Sequence, residues 1–283
     1  MKKLVYLCVV MIFFSSCSTL DNKKDIENVS DEVINAVETD NTFLLNSFFS
    51  NNFPINYKSK NGKTLLMLAI ENDSQRSVDM LLVRGADLED EIEDGKTPIF
   101  YVRSLNILNK LVIAGADINK RDSNNESVLS YFIKNKPLEY SNYLVISGAR
   151  LDIENSEGWT PVFDAVVSGD IKLVEFMLEN GGNFKKEDIY GNIPIFYTND
   201  EKMLMKLLDI KGYDLAKRNR KNENIFGEIY LKSVSNGYVE VVEKLLNLGV
   251  NPYYMSYGDS AISIAREKNN LEMIKFLESI LKK

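Results

Sequence analysis

The side chains that most often carry catalytic or metal chemistry are scarce in this sequence. It contains no histidine, which excludes Ser-His-Asp and Cys-His catalysis and the commonest zinc and iron ligand sets. Both cysteines, Cys8 and Cys17, lie in the first seventeen residues, so the rest of the chain has no thiol for a disulfide, a metal or covalent catalysis. We therefore predict a protein without catalytic activity, cofactor or metal, and an enzyme of unrecognised type is the remote alternative.

Composition describes a folded, acidic protein. Hydrophobic residues make up 45% of the 283-residue chain and charged residues 27%, which is the balance of a globular protein with a core. The chain has 34 Lys and Arg against 41 Asp and Glu, a formal charge of −7. Nucleic-acid binding draws most of its affinity from clustered positive charge, so this excess of acid argues against DNA or RNA as a partner.

The N-terminus has the features of an export signal. Two lysines precede an apolar run from Leu4 to Phe14. Eleven helical residues span about 17 Å, too little for a hydrocarbon core about 30 Å thick. Ser15, Ser16 and Cys17 follow and resemble a bacterial lipobox, with Phe14 in the place usually taken by Leu.

That resemblance implies a lipoprotein signal peptide over residues 1–17, an acylated Cys17 and a lipid-anchored protein of a bacterial cell envelope. Ser18 directly after Cys17 leans toward the outer membrane, at its periplasmic face or at the cell surface, and the inner membrane is the alternative. Ordinary signal cleavage without acylation is the alternative and would give a secreted protein. Residues 18–30 are polar and are predicted to form a tether to a domain over residues 31–283.

Two short patterns recur along the domain. One is a Gly-small-acid-apolar step, exemplified by Gly85-Ala86-Asp87-Leu88, Gly115-Ala116-Asp117-Ile118 and Gly148-Ala149-Arg150-Leu151. The other is a Thr-Pro-like pair two residues after a Gly, exemplified by Gly95-Lys96-Thr97-Pro98 and Gly158-Trp159-Thr160-Pro161. We call the Thr position of the second pattern the marker. Markers are predicted at positions 31, 64, 97, 127, 160, 193, 228 and 260, which gives steps of 30 to 35 residues.

This period and these motifs resemble the ankyrin repeat, with its Thr-Pro-Leu-His-x-Ala opening and Gly-Ala-Asp close. The resemblance implies an all-α solenoid of helix pairs joined by hairpin fingers, with about eight repeats including degenerate terminal caps. Thr97 and Thr160 are expected to cap first helices, and Phe100 and Phe163 stand where the family has His. The first helices after positions 97 and 193 should be short, and the seventh finger about four residues longer than the others.

The same resemblance implies that the finger tips and the inner face of the first helices bind a protein partner. Trp159, the single tryptophan, is predicted at a finger tip beside Tyr190. It is either an aromatic anchor for a partner or a ring that packs on its own hairpin, and the sequence favours neither. The charge is uneven, with acidic residues at 89–94 and basic residues at 217–221, and each run either orients the partner or is a solvated face without function. The candidate binding residues are Trp159, Tyr190, Glu157, Tyr257, Glu93, Asp94, Lys96, Lys63, Arg218 and Arg220.

These patterns together predict a non-catalytic, monomeric, protein-binding scaffold in a bacterial envelope. A surface adhesin and an envelope inhibitor or immunity-type protein are the alternatives within the binding class.

Overall fold

The computed structural model describes residues 23–281. Cys17, the predicted signal peptide and residues 18–22 of the predicted tether lie outside the described residues. The chain divides into two compact units, one ending at Ser123 and the other beginning at Asn124. Within the described range no helix is both long and apolar enough to cross a membrane.

The first unit is made of helix pairs joined by irregular hairpins. Its helices are α1 (Lys23–Glu38), α2 (Thr42–Ser50), α3 (Leu65–Glu71), α4 (Gln75–Val83), a 3₁₀ turn (Pro98–Tyr101) and α5 (Leu105–Ala114). Each pair packs its two members together, as α1 does with α2 and α3 with α4. The second marker, Thr64, precedes α3, so the predicted order of finger, first helix and second helix is present.

The second unit repeats the same order of elements. Its helices are α6 (Val128–Asn135), α7 (Leu138–Ile146), α8 (Pro161–Ser168), α9 (Ile171–Glu179), a 3₁₀ turn (Pro194–Tyr197), α10 (Glu201–Leu207), α11 (Ile225–Asn236), α12 (Val239–Leu248), α13 (Ala261–Glu267) and α14 (Leu271–Leu281). Two short antiparallel strands, β1 (Met255–Ser256) and β2 (Asp259–Ser260), form the hairpin before α13.

Local sequence explains where these helices begin and end. Pro98, Pro161 and Pro194 each occupy a first helical position, where the missing N–H is not needed. The glycines that open the Gly-small-acid-apolar steps have positive φ angles, between 77° at Gly85 and 104° at Gly249, a conformation that suits the end of a helix. Only the short 3₁₀ turns follow positions 97 and 193, which confirms the predicted short first helices.

Small residues let the helices of a repeat approach closely. Ala36, Ala69 and Ala165, each five residues past a marker, are fully buried. Phe100 and Phe163 are also buried, in agreement with apolar packing at the positions where the family has His. In each unit the core therefore consists of aliphatic and aromatic side chains contributed by its repeats.

Helix α1 begins earlier than the sequence indicated. It starts at Lys23, so residues 23–30 of the predicted tether are helical, and Val29 is buried. The apolar spacing of Val29 is completed by Val33, Ala36 and Val37, which lie beyond the predicted boundary at residue 31. The helical spacing of these apolar residues is not visible when residues 18–30 are considered alone.

The seventh finger is not longer than the others, contrary to the sequence-based expectation. An isolated bridge joins Arg218 to Asn224, with the same six-residue span as the bridge from Lys58 to Thr64 in the first unit. Asn224 caps α11, so the marker lies at 224 and not at 228. The extra residues lie in α11, which has 12 residues where α8 has 8. Asn replaces Thr at this marker, which hid the true position.

The markers Thr97 and Thr160 stand at N-cap positions, but their hydroxyls do not cap. The N–H of Phe100 donates to the carbonyl of Thr97, and the N–H of Phe163 donates to that of Thr160. In contrast, the N–H of Met67 donates to the hydroxyl of Thr64 at 3.2 Å. At each Thr-Pro pair the backbone N–H that would donate to a capping hydroxyl thus donates to the Thr carbonyl.

Candidate partner-binding surface

Three adjacent fingers of the second unit share one internal hydrogen-bond pattern. Asn155, Asp188 and Asn219 stand five residues before their markers, and each uses its side-chain Oδ1 to accept two backbone N–H groups of its own finger. The distances lie between 2.8 Å and 3.0 Å. These side chains fix the shape of each finger, so the tips are presented by a stiff backbone.

Main-chain bonds also connect these fingers to one another. The N–H of Ile189 donates to the carbonyl of Glu157 at 3.1 Å, and the N–H of Arg220 donates to that of Tyr190 at 2.8 Å. Gly158 is required here, because a Cβ on it would lie 3.0 Å from the backbone nitrogen of Ile189. We call residues 155–159, 188–192 and 219–223 the finger row.

The finger row brings together four of the predicted binding residues, Glu157, Trp159, Tyr190 and Arg220. Glu157 and Arg220 are exposed, and Tyr190 is 51% exposed. Tyr257 lies on the next finger, is 90% exposed and donates from its hydroxyl to Glu223 at 3.0 Å. Arg218 is exposed just before the third finger of the row.

Trp159 is half-buried against its own repeat and the next one. Its ring stacks on Phe163 with the centroids 5.5 Å apart and an angle of 16° between the planes. The ring of Tyr197, from the following 3₁₀ turn, lies 4.8 Å away. These contacts agree with the packing interpretation of Trp159, while a direct role in partner binding stays a prediction.

A polar network under the finger row was not foreseen from the sequence. The Tyr197 hydroxyl donates to Asp188, and Asn192 Nδ2 donates to the same hydroxyl at 3.1 Å. Asn219 Nδ2 donates to Asn192 Oδ1 at 3.1 Å and so links two fingers. Burial and the Asp188 carboxylate raise the pKa of Tyr197 to about 12, so its hydroxyl remains a donor well into the alkaline range.

A second charged group lies between α6 and α8. Lys134 Nζ is 2.7 Å from Glu126 Oε1 and 3.0 Å from Asp164 Oδ1. Asp164 is buried, and this burial raises its pKa although the Lys134 ammonium opposes the shift. Lys134 from α6 thus contacts the Asp164 carboxylate of α8, which favours a structural role in joining the two helices.

The remaining predicted binding residues belong to the first unit. Lys63 pairs with Glu71 at 2.6 Å and lies over the ring of Tyr101, and Lys96 pairs with Asp94 at 2.8 Å. Glu93 is exposed. The structure therefore places Lys63, Asp94 and Lys96 in local ion pairs. Among the residues described, no group of three or more acidic, Cys or His side chains could hold a metal ion.

Comparison with known proteins identifies the repeat. A family model described as ankyrin repeats in three copies matches residues 99–188, and a model of a single ankyrin repeat matches residues 61–91. The B-cell lymphoma 3 protein homolog of Mus musculus is 30% identical over 126 residues, which cover 43% of this chain and 28% of that protein.

Two bacterial relatives also match. The phosphocholine transferase AnkX of Legionella pneumophila is 28% identical over 145 residues, 51% of this chain and 14% of that protein. A Rickettsia felis protein named for its ankyrin repeats is 27% identical over 166 residues, 56% of this chain and 42% of that protein. The aligned part thus spans less than half the length of each relative. Residues 61–91 and 99–188 carry ankyrin repeats, and the fold of the chain is the all-α ankyrin solenoid.

Proposed function

We propose that this protein is a non-catalytic scaffold that binds a protein partner through the finger row. Ankyrin repeats generally mediate protein–protein interactions. The observation that carries the proposal is the exposed side chain of Tyr190, held on a finger that is hydrogen-bonded to both of its neighbours. A rigid aromatic group binds with little loss of conformational entropy, which is why tyrosine is frequent at binding hot spots.

The non-catalytic part of the proposal rests on the amino-acid sequence. The chain has no histidine and no cysteine after Cys17, so the usual nucleophile and base pairs are missing. The transferase activity in the name of AnkX is not carried over, because the alignment covers 14% of that protein. We also propose that the scaffold is a monomer, which light scattering would test directly.

Photo-crosslinking in the native cell tests the binding function. A photoreactive amino acid at position 190 reports on the finger row, and the exposed Lys172 on α9 provides the control position. One protein captured from position 190 and not from position 172 supports the proposal. Capture of nothing, or of the same mixture from both positions, contradicts it.

We further propose that an acyl group on Cys17 anchors the scaffold in a bacterial envelope. The support is the charged, apolar and small-residue order of residues 1–17. Cells fed an alkyne-labelled fatty acid should label the wild-type protein and not the Cys17→Ser variant. Equal labelling of both proteins, or labelling of neither, contradicts the anchor. Protease added to intact cells then distinguishes the cell surface from the periplasmic face.

A further inference from the structure

Three cations lie on the third finger of the row or directly before it. Arg218, Arg220 and Lys221 are all exposed, and none of them forms an ion pair with a carboxylate among the described residues. Lys217, at the base of the same finger, is paired with Glu187 at 2.7 Å. We call Arg218, Arg220 and Lys221, with Tyr190 and Tyr257, the basic tip.

Two acidic groups near the basic tip, Glu223 and Asp188, already have hydrogen-bond partners. Glu223 accepts from Asn219 Nδ2 at 2.8 Å and from the Tyr257 hydroxyl at 3.0 Å. Asp188 accepts two backbone N–H groups and the Tyr197 hydroxyl. The guanidinium of Arg218 donates to the carbonyl of Asn222 at 2.6 Å, which leaves its other N–H donors for a ligand.

Two exposed tyrosines accompany the cations. Tyr190 belongs to the preceding finger, and its carbonyl accepts from the N–H of Arg220. Tyr257 belongs to the following hairpin and is 90% exposed. Its φ of 52° lies in the left-handed region, where a bulky side chain is unusual. Tyr257 and Gly258 form the two-residue turn between β1 and β2, which requires positive φ at both positions, so the turn holds the Tyr257 side chain out in solvent.

We propose that the basic tip binds an acidic segment of the partner protein, an inference that rests on the proposed scaffold function. Carboxylates of the segment pair with Arg218, Arg220 and Lys221, since a guanidinium offers two parallel donors to a carboxylate. Apolar or aromatic side chains of the segment contact Tyr190 and Tyr257.

Charge favours a short acidic peptide over an extended polyanion. The whole chain carries a formal charge of −7, so a nucleic acid or an anionic membrane would be repelled beyond the basic tip. A short acidic segment that contacts only the three cations is attracted by their positive charge.

Selection from a random twelve-residue peptide library displayed on phage, with the full chain as bait, tests the inference. Peptides rich in Asp and Glu with an aromatic residue are expected. The selected peptide is then synthesised and titrated against Arg218→Glu/Arg220→Glu/Lys221→Glu, for which a loss of affinity of about tenfold or more is expected. Its affinity for the wild-type chain should also fall as salt is raised.

The matched control is Lys172→Glu/Lys202→Glu/Lys268→Glu, which changes net charge equally at exposed lysines outside the basic tip. Its affinity should stay within about twofold of the wild-type value. Equal losses in both triple variants, peptides without acidic enrichment, or no selected peptide would overturn the inference. Equally strong competition by a twelve-nucleotide single-stranded DNA or by vesicles with phosphatidylserine would also overturn it.

The crosslinking experiment at position 190 separates the two proposals. If it captures a specific partner whose crosslinked segment is not acidic, the scaffold function stands and the acidic-segment inference fails. If it captures nothing and the selection also fails, both are wrong.

Discussion

The markers Thr64 and Thr97 occupy the same place in successive repeats and have different hydrogen bonds. Thr64 caps α3, whereas the hydroxyl of Thr97 is buried without a partner. Thr64→Val should therefore lower the free energy of unfolding by about 1 kcal/mol. Thr97→Val should leave it unchanged or raise it, because the variant no longer buries an unsatisfied hydroxyl. Urea unfolding of both variants measures the difference, and equal losses would contradict it.

Trp159 and Tyr190 are neighbouring aromatic residues whose surroundings predict opposite effects. Trp159→Ala should cost about 2 kcal/mol of unfolding free energy, less than a fully buried tryptophan, because it loses the contacts with Phe163 and Tyr197. Tyr190→Ala should change stability by less than about 0.5 kcal/mol, because its side chain is exposed.

Affinity for the partner captured at position 190 is measured in addition to stability for variants of Trp159 and Tyr190. Tyr190→Ala should lose more than about 1 kcal/mol of binding free energy. Trp159→Phe, which keeps an aromatic ring over Phe163, should bind as the wild type does. A large loss of affinity with unchanged stability in Trp159→Phe would instead make Trp159 a direct contact residue.

At the scale of the element, the repeat period predicted most helices correctly where glycine and proline mark their ends. The glycine that opens each Gly-Ala-Asp step and the prolines at 98, 161 and 194 have strict backbone requirements, so their places can be recognised in the sequence. The seventh repeat was misplaced because Asn222 and Asn224 replace the usual Gly and Thr while keeping the same conformation and cap. Asparagine can adopt a positive φ angle and can cap a helix, so these two residues differ from the repeat pattern while the backbone structure stays the same.

Helix α11 contains a glycine whose effect on stability depends on a neighbouring side chain. A glycine inside a helix normally weakens it, and its replacement by Ala would then raise the free energy of unfolding by about 1 kcal/mol. A Cβ on Gly227 would however lie 2.6 Å from the ring of Tyr254, so Gly227→Ala should destabilise the protein by about 1 kcal/mol. In the Tyr254→Ala background the same substitution should stabilise it. Thermal unfolding of the two single variants and the double variant completes the cycle, and the same sign in both backgrounds would contradict this explanation.

At the scale of the molecule, the repeat period predicted which finger tips are neighbours but not the side-chain contacts under those fingers. Glu157, Trp159 and Tyr190 were expected on adjacent fingers and are found there. The contact between Trp159 and Tyr197 joins residues 38 positions apart, and only the packing of successive repeats brings them together. The acceptor residues Asn155, Asp188 and Asn219 could have been recognised from their common position, but the third became visible only with the marker placed at 224.

The second unit should lose stability in alkali because several of its tyrosines are held in the neutral form. Burial raises the pKa of Tyr197, Tyr230 and Tyr254 to about 12, and Asp188 and Glu228 add to the effect at the first and third. In the unfolded chain the same hydroxyls ionise near pH 10. Between these values the folded state binds more protons than the unfolded state, so the free energy of unfolding falls as pH rises from about 10 to 12 and is unaffected below that window.

Urea unfolding at pH 7, 9, 10.5 and 11.5 measures this dependence, with tyrosinate absorbance at 295 nm recorded in parallel. Stability should be the same at pH 7 and 9 as far as these groups are concerned, and should decrease at the two higher values. Tyr197→Phe removes one of these groups and should flatten the decrease. Ionisation of all tyrosines near pH 10 with helical circular dichroism intact would contradict the raised pKa values, because the folded chain would then hold no tyrosine in its neutral form.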